Sequence, residues 1–232
     1  MAPPDRELSA IVQLAVGADD SGAAGLDPLA GRAPLLRVID TLLRGVGPQI
    51  VVVAGESIAD AVGGVLADHD MASVRVVAVG KPATPMRFLA AGLEELLREH
   101  PSSRWVLVHD LRQPLASPPV TDRVLALLRE GNPVVVPALP VTDSVKAVDE
   151  RGSVAATLDR TALRAVQYPR GFAVAHLAEL LNRPPADDLE VDAAVLTHGP
   201  ITVVDGDSAA FVAELPGDAP FLEAIIAGRR SY

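Results

Sequence analysis

The chain has no cysteine, which excludes disulfide frameworks, thiolate zinc sites and cysteine nucleophiles together and makes a reducing, cytoplasmic setting the expectation. Aromatic residues form only 3% of the 232 residues, leaving little material for stacking bases. Cations are also scarce: 20 Lys and Arg stand against 30 Asp and Glu, a formal charge of −10. A nucleic-acid binder needs a basic stripe that releases counterions, and the sequence has none. No uncharged apolar run approaches the roughly 20 residues that cross a bilayer. The opening residues Met1 to Glu7 lack the apolar stretch of a secretory signal. Neither nucleic acid nor membrane is expected as a partner.

What the chain does have is a rhythm. Hydrophobic residues reach 49%, enough to fill the core of one α/β domain spanning 1–232. Strand-length apolar runs at 9–16, 50–53, 74–79, 105–108 and 134–136 alternate with helix-length amphipathic runs at 34–43, 57–67, 85–99 and 118–129. In the first helix Leu35, Leu36, Ile39, Leu42 and Leu43 share a face, and Ser57 is placed to cap the second. Prolines open the fourth. Uninterrupted β-branched runs point to strands covered on both faces, hence a mostly parallel twisted sheet with helices on both sides. Residues 140–159 break the pattern. Two β-prone runs flank Glu150-Arg151-Gly152-Ser153, which predicts an inserted β-hairpin. It is either a flap over its own sheet or an arm gripping a second subunit.

In open α/β sheets, ligands bind beyond the carboxyl ends of the strands, and three segments should converge there. The glycine-rich stretch 17–31 suits close approach of backbone N–H groups to phosphate. Yet it carries Asp19 and Asp20 and no Lys or Arg, so its alternative reading is a surface loop. Asp110, ending the fourth strand, is a hard oxygen donor of the kind that holds a divalent cation. One carboxylate alone is a poor metal site, and His109 beside it reads more readily as a hydrogen-bonded strand-end residue than as a ligand. Arg160, Arg164 and Arg170 concentrate positive charge in the third segment. Their forks suit phosphate oxygens, with ordinary pairing to Asp159, Glu179 or Asp187 as the competing reading.

Four stretches in this order resemble the methylerythritol phosphate cytidylyltransferase family. They are Val106-Leu107-Val108-His109-Asp110, the run from Pro140 through Asp143-Ser144-Val145-Lys146 to Val148, the stretch from Thr157 to Phe172, and Val203-Val204-Asp205-Gly206-Asp207. The resemblance covers most of the chain. It implies a Rossmann-like fold of the nucleotide-diphospho-sugar-transferase kind and a homodimer joined through the hairpin arm. It also implies attack of a substrate phosphate on the α-phosphorus of CTP, releasing pyrophosphate. Carried over residue by residue, it places Ala15, Gly17, Gly80 and Arg112 at the nucleotide, Ser144 and Arg160 at methylerythritol phosphate, and Asp110 at Mg²⁺.

The departures from the family pattern fall on ligand positions. The first loop lacks the family's arginine and its proline-lysine pair. The segment Val79-Gly80-Lys81-Pro82 to Arg87 lacks the Asp and Ser that read cytosine and ribose. Arg112 stands one place early, with Gln113 where the family has arginine. Tyr168 replaces a substrate-binding threonine, Glu190-Val191-Asp192 a threonine-aspartate pair, and Val212 a late lysine. The expectation is a retained scaffold with lost or changed catalysis, and Mg²⁺ as cofactor only if nucleotide binding persists. A working divergent enzyme using Lys81, Arg32 or Arg112 as substitute cations is the alternative, and a non-enzymatic companion subunit the second alternative.

Overall fold

Seven consecutive buried residues form the central strand β1 (Leu8–Leu14), and their alternation assigns each to one of two helix layers. Leu8, Ala10, Val12 and Leu14 pack into one core cluster; Ile11 faces the other. The computed structural model describes residues 6–14, 25–81, 84–182 and 201–230. After β1 come α1 (Pro34–Val46), β2 (Ile50–Gly55), α2 (Ala59–Ala67), β3 (Arg75–Val79), α3 (Pro85–Glu99), β4 (Trp105–Asp110), α4 (Pro118–Arg129) and β5 (Val134–Pro140). Then follow β6 (Lys146–Val148), β7 (Val154–Thr157), β8 (Arg164–Val166), β9 (Arg170–Ala173), α5 (Val174–Leu181), β10 (Thr202–Asp205) and the last helix, α6 (Ala219–Arg230).

The sheet runs β10-β5-β9-β4-β1-β2-β3, with β8 paired to β5. β1 is parallel to β2 and β4, β2 to β3, and β10 to β5. The mostly parallel sheet with helices on both faces is therefore the architecture. One face is covered by α1, α2 and α4 through residues such as Leu35, Ile39, Leu42, Leu66, Val124 and Leu128. α3 and α5 cover the other through Phe88, Leu89, Leu96 and Leu177. Each fully buried Leu or Phe contributes about 1.5–3 kcal/mol relative to exposure, so these two layers hold the rim of the sheet in place.

Several boundaries differ from the sequence expectation. Ser57 does not cap the second helix: α2 starts at Ala59, with Ile58 at the cap position and no side-chain cap bond. Thr84 is the side-chain cap the sequence reading passed over, accepting from Arg87 N at 3.3 Å at the start of α3. β3 is covered on both faces only in part, Val76 packing against one core cluster and Val77 against the other. It is the sheet edge, and only Val79 of its residues is buried. The stretch from Thr157 to Phe172, read as a ligand-facing segment, contains β8 and β9. β9 lies antiparallel between β4 and β5. Gly171 is what lets β9 in: a Cβ there would stand 2.6 Å from Leu128 and Val124 of α4. No helix among the described residues is long and apolar enough to cross a membrane.

β6 and β7 pair antiparallel, Lys146 opposite Thr157. Their turn is built by Asp149, whose carboxylate accepts from Arg151 N at 2.9 Å and Ser153 N at 2.8 Å, with Gly152 at φ +79°. The hairpin buries none of its large apolar side chains: Val148 is 60% exposed, Val154 64% and nearby Leu158 44%.

Candidate functional site

β4 delivers His109 and Asp110 to the carboxyl rim, in register with Val12 and Gln13 of β1. Alternation sends the two side chains to different surroundings. His109 is fully buried; its Nδ1 lies 2.9 Å from the Asp110 carbonyl, so Nδ1 carries the proton and Nε2 is left without a partner. Burial pushes its pKa down to about 4. Its ring stacks on Tyr168, centroids 5.9 Å apart, and the Arg170 guanidinium lies over the Tyr168 ring at 4.1 Å. Arg170 is buried within the rim rather than exposed for phosphate.

Asp110 is held by Arg112. The chain turns after β4 so that Arg112 N donates to Oδ1 at 2.8 Å while its guanidinium forks onto both carboxylate oxygens. Nε reaches Oδ1 and Oδ2 at 3.1 Å each, and Nη2 reaches Oδ2 at 2.7 Å. The Asp110 side chain is 6% exposed, that of Arg112 53%. Both oxygens thus carry two contacts apiece from one residue. A carboxylate has about four lone-pair directions, and as the pair stands the residues do not fit the Mg²⁺ that the resemblance places at Asp110. Among the described residues no group of three or more His, Asp or Glu offers an alternative.

The altered positions nearby are tied to one another. Gln113 is buried, donates its N–H to the Asp110 carbonyl at 3.1 Å, and accepts from Tyr168 N at 2.8 Å through Oε1. Gln167, one residue before Tyr168, gathers the C-terminal segment. Its Nε2 donates to the Asp207 and Ala210 carbonyls at 2.9 and 2.7 Å, and its Oε1 accepts from Asp207 N at 2.8 Å. Arg229 of α6 closes this edge, donating to Leu115 O at 3.1 Å and to Asp207 Oδ2 at 2.9 Å. The Gln167–Asp207–Arg229 latch leaves no mark in the sequence, because its members are 40 and 22 residues apart with no shared motif.

The remaining candidates are spread out. Arg32 is forked onto Asp40 of α1 at 2.6 and 2.8 Å, so it is a brace between the loop and α1. Arg37 donates to Leu29 O at 2.6 Å and fixes the same loop from behind. Gly80 follows β3 beside Glu56, with exposed Lys81 next to it. Three strand spacings separate β3 from β4, roughly 14 Å. Ser144 is exposed at the foot of the hairpin. Arg160, in a 3-10 turn, donates through Nη1 to Thr142 O nearby. The structure therefore joins Asp110 with Arg112, and Arg160 with Thr142, as two separate groups on one polypeptide. Ala15 and Gly17, together with Asp19, Asp20 and the stretch 190–192, lie outside the described residues.

The sequence profile of the 2-C-methyl-D-erythritol 4-phosphate cytidylyltransferases matches residues 25–227. A protein of that name from Saccharopolyspora erythraea is 35% identical over 230 residues, covering 87% of this chain and 98% of its own length. One from Nocardia farcinica is 36% identical over 202 residues, covering 84% and 83%. Among solved structures, the 2-C-methyl-D-erythritol 4-phosphate cytidylyltransferase from Thermus thermophilus superposes with a TM-score of 0.72 at 25% identity, covering 94% of this chain and 98% of that one. The 4-diphosphocytidyl-2C-methyl-D-erythritol synthase of Anaerococcus prevotii is similar in fold, with a TM-score of 0.76 at 22% identity over 96% of this chain and 100% of that one.

Proposed function

Because this chain belongs to the 2-C-methyl-D-erythritol 4-phosphate cytidylyltransferase family, we propose that it keeps the family scaffold for a phosphorylated ligand while joining CTP to methylerythritol phosphate poorly or not at all. The observation that carries this reading is the mutual engagement of the altered rim positions. Arg112 clamps Asp110, Gln113 holds the Tyr168 backbone, and Arg170 stacks on Tyr168. Apart from His109 Nε2, these described rim groups are paired, whereas a site decaying at random would leave more of them unpaired at about 1–3 kcal/mol each. Here the new residues support each other, which favours a rebuilt rim over a ruined one.

The transfer reaction asks an enzyme chiefly to position polyphosphate and offset its charge. Two of the three substitute cations open to this chain are committed elsewhere, Arg32 to Asp40 and Arg112 to Asp110. Asp19 and Asp20 in the first loop oppose a polyphosphate, by about 4 kcal/mol per close charge pair at an effective dielectric of 20. Calorimetry with CTP, followed by pyrophosphate release on adding methylerythritol phosphate, tests the reading. Binding without turnover supports it, and turnover at ordinary enzyme rates sinks it. The second reading, a working cytidylyltransferase, draws on relatives of that name at 35–36% identity, and the same assay decides for it.

A homodimer through the hairpin belongs to the same proposal. Val148, Val154 and Leu158 are exposed on a hairpin that its own subunit does not cover, and a twofold partner is the commonest way to bury such a surface. Light scattering of the wild type at micromolar concentration should give twice the chain mass. Val148→Glu with Val154→Glu should give the single-chain mass with the fold unchanged. A monomeric wild type, or a variant that stays dimeric, removes the arm from the dimer account.

A further inference from the structure

We propose that Arg112 occupies the place of a divalent cation at Asp110, so that the rim takes no metal there. The geometry is that of occupation rather than proximity. Both carboxylate oxygens accept from Arg112, by four contacts of 2.7 to 3.1 Å. A metal ion would need one of those oxygens turned to it, and the fork occupies the carboxylate plane where an ion would bind. The clamp is also local. Arg112 is two residues from Asp110, and its backbone N–H is one of the donors, so the turn after β4 builds the pair before any ligand arrives. Gln113 then fixes that turn from the other side through the Asp110 carbonyl and Tyr168 N. The carboxylate is nearly enclosed, with 6% of its side chain exposed, so its charge is met by the guanidinium and little of it faces solvent.

The pair itself is tested without any nucleotide. Mn²⁺ alone is titrated into the full chain, with bound metal read by electron paramagnetic resonance. Wild type and Asp110→Asn should take up Mn²⁺ identically. With pyrophosphate added to supply further oxygen ligands, Arg112→Ala and Arg112→Gln should tighten Mn²⁺ binding by roughly tenfold or more, and adding Asp110→Asn should erase the gain. Mn²⁺ uptake by wild type that Asp110→Asn removes, or no gain in either Arg112 variant, overturns the substitution. CTP is then titrated with Mg²⁺ and, separately, with a chelator. Equal affinity in the two conditions is expected, and a roughly tenfold gain with Mg²⁺ overturns a metal-free rim. Absence of CTP binding in both overturns the nucleotide reading, while the Mn²⁺ arm still decides the pair.

Discussion

Pyrophosphate release from CTP and methylerythritol phosphate is expected to run slower than in family members that keep the missing cations, by on the order of 10²–10³ for each oriented donor lost. The expectation rests on charge. The reacting polyphosphate carries several negative charges, and catalysis of this transfer is largely electrostatic stabilisation and positioning. Among the positions where the resemblance expects cations or ligand donors, Gln113 is buried on the Tyr168 backbone and Val212 carries no charge. Arg112 supplies positive charge at nearly the right place, but it is already offset by Asp110 at 2.7 Å. The measurement is steady-state pyrophosphate release at saturating substrates, set beside one of the 35% identical relatives. A rate within tenfold of that relative would mean that the described rim rearranges on binding substrate.

Acid is expected to destabilise the protein through His109, by up to about 3 kcal/mol between pH 7 and pH 4. His109 is fully buried with its pKa lowered to about 4 by that burial, against about 6.5 for an exposed imidazole. Below about pH 6.5 the unfolded chain therefore binds a proton that the folded chain refuses. Stability from this group is complete above about pH 6.5 and declines as pH falls. It levels off only near pH 4, where the folded imidazole also protonates. Urea unfolding across this range, compared with His109→Gln, isolates the contribution from that of the carboxylates. The variant should lose most of the slope in this window. An unchanged slope would show that the imidazole reaches water in the folded state.

How far the sequence could be read depended on period and on length. Leu35, Leu36, Ile39 and Leu42 repeat at helical spacing, and the 13-residue α1 buries that face. β8 and β9 span only 3 and 4 residues, too few to show a period. Gly171 contributes no side chain to one, because its virtue is the space it leaves for Leu128. Ser57 looked like a cap by type, yet a turn at 56–58 delays the helix past it. The site divides in the same way. Asp110 was placed at the rim by its position at a strand end, whereas its clamp by Arg112 depends on the direction of the chain after β4, which residue types do not encode. Tyr168 and Gln113 stood out as departures from a pattern. Their contact across 55 residues was invisible until β9 folded between β4 and β5.

β9 runs against its neighbours, and this gives the chain an unusual freedom. β5 reaches the carboxyl rim at Pro140, where Arg164 of β8 sits directly opposite it. Everything from 141 to 163 therefore departs from and returns to a single point, like a cassette clipped into a slot. Residues in that cassette can be lengthened, shortened or exchanged with a homologue's without moving any register in the main sheet. The rim residues Asp110, Arg112 and Gln113 come from the turn after β4, outside the cassette, so the two can drift at different rates. A lineage could rewrite the rim after β4 and keep the 141–163 cassette, or do the reverse, because the topology does not couple one to the other.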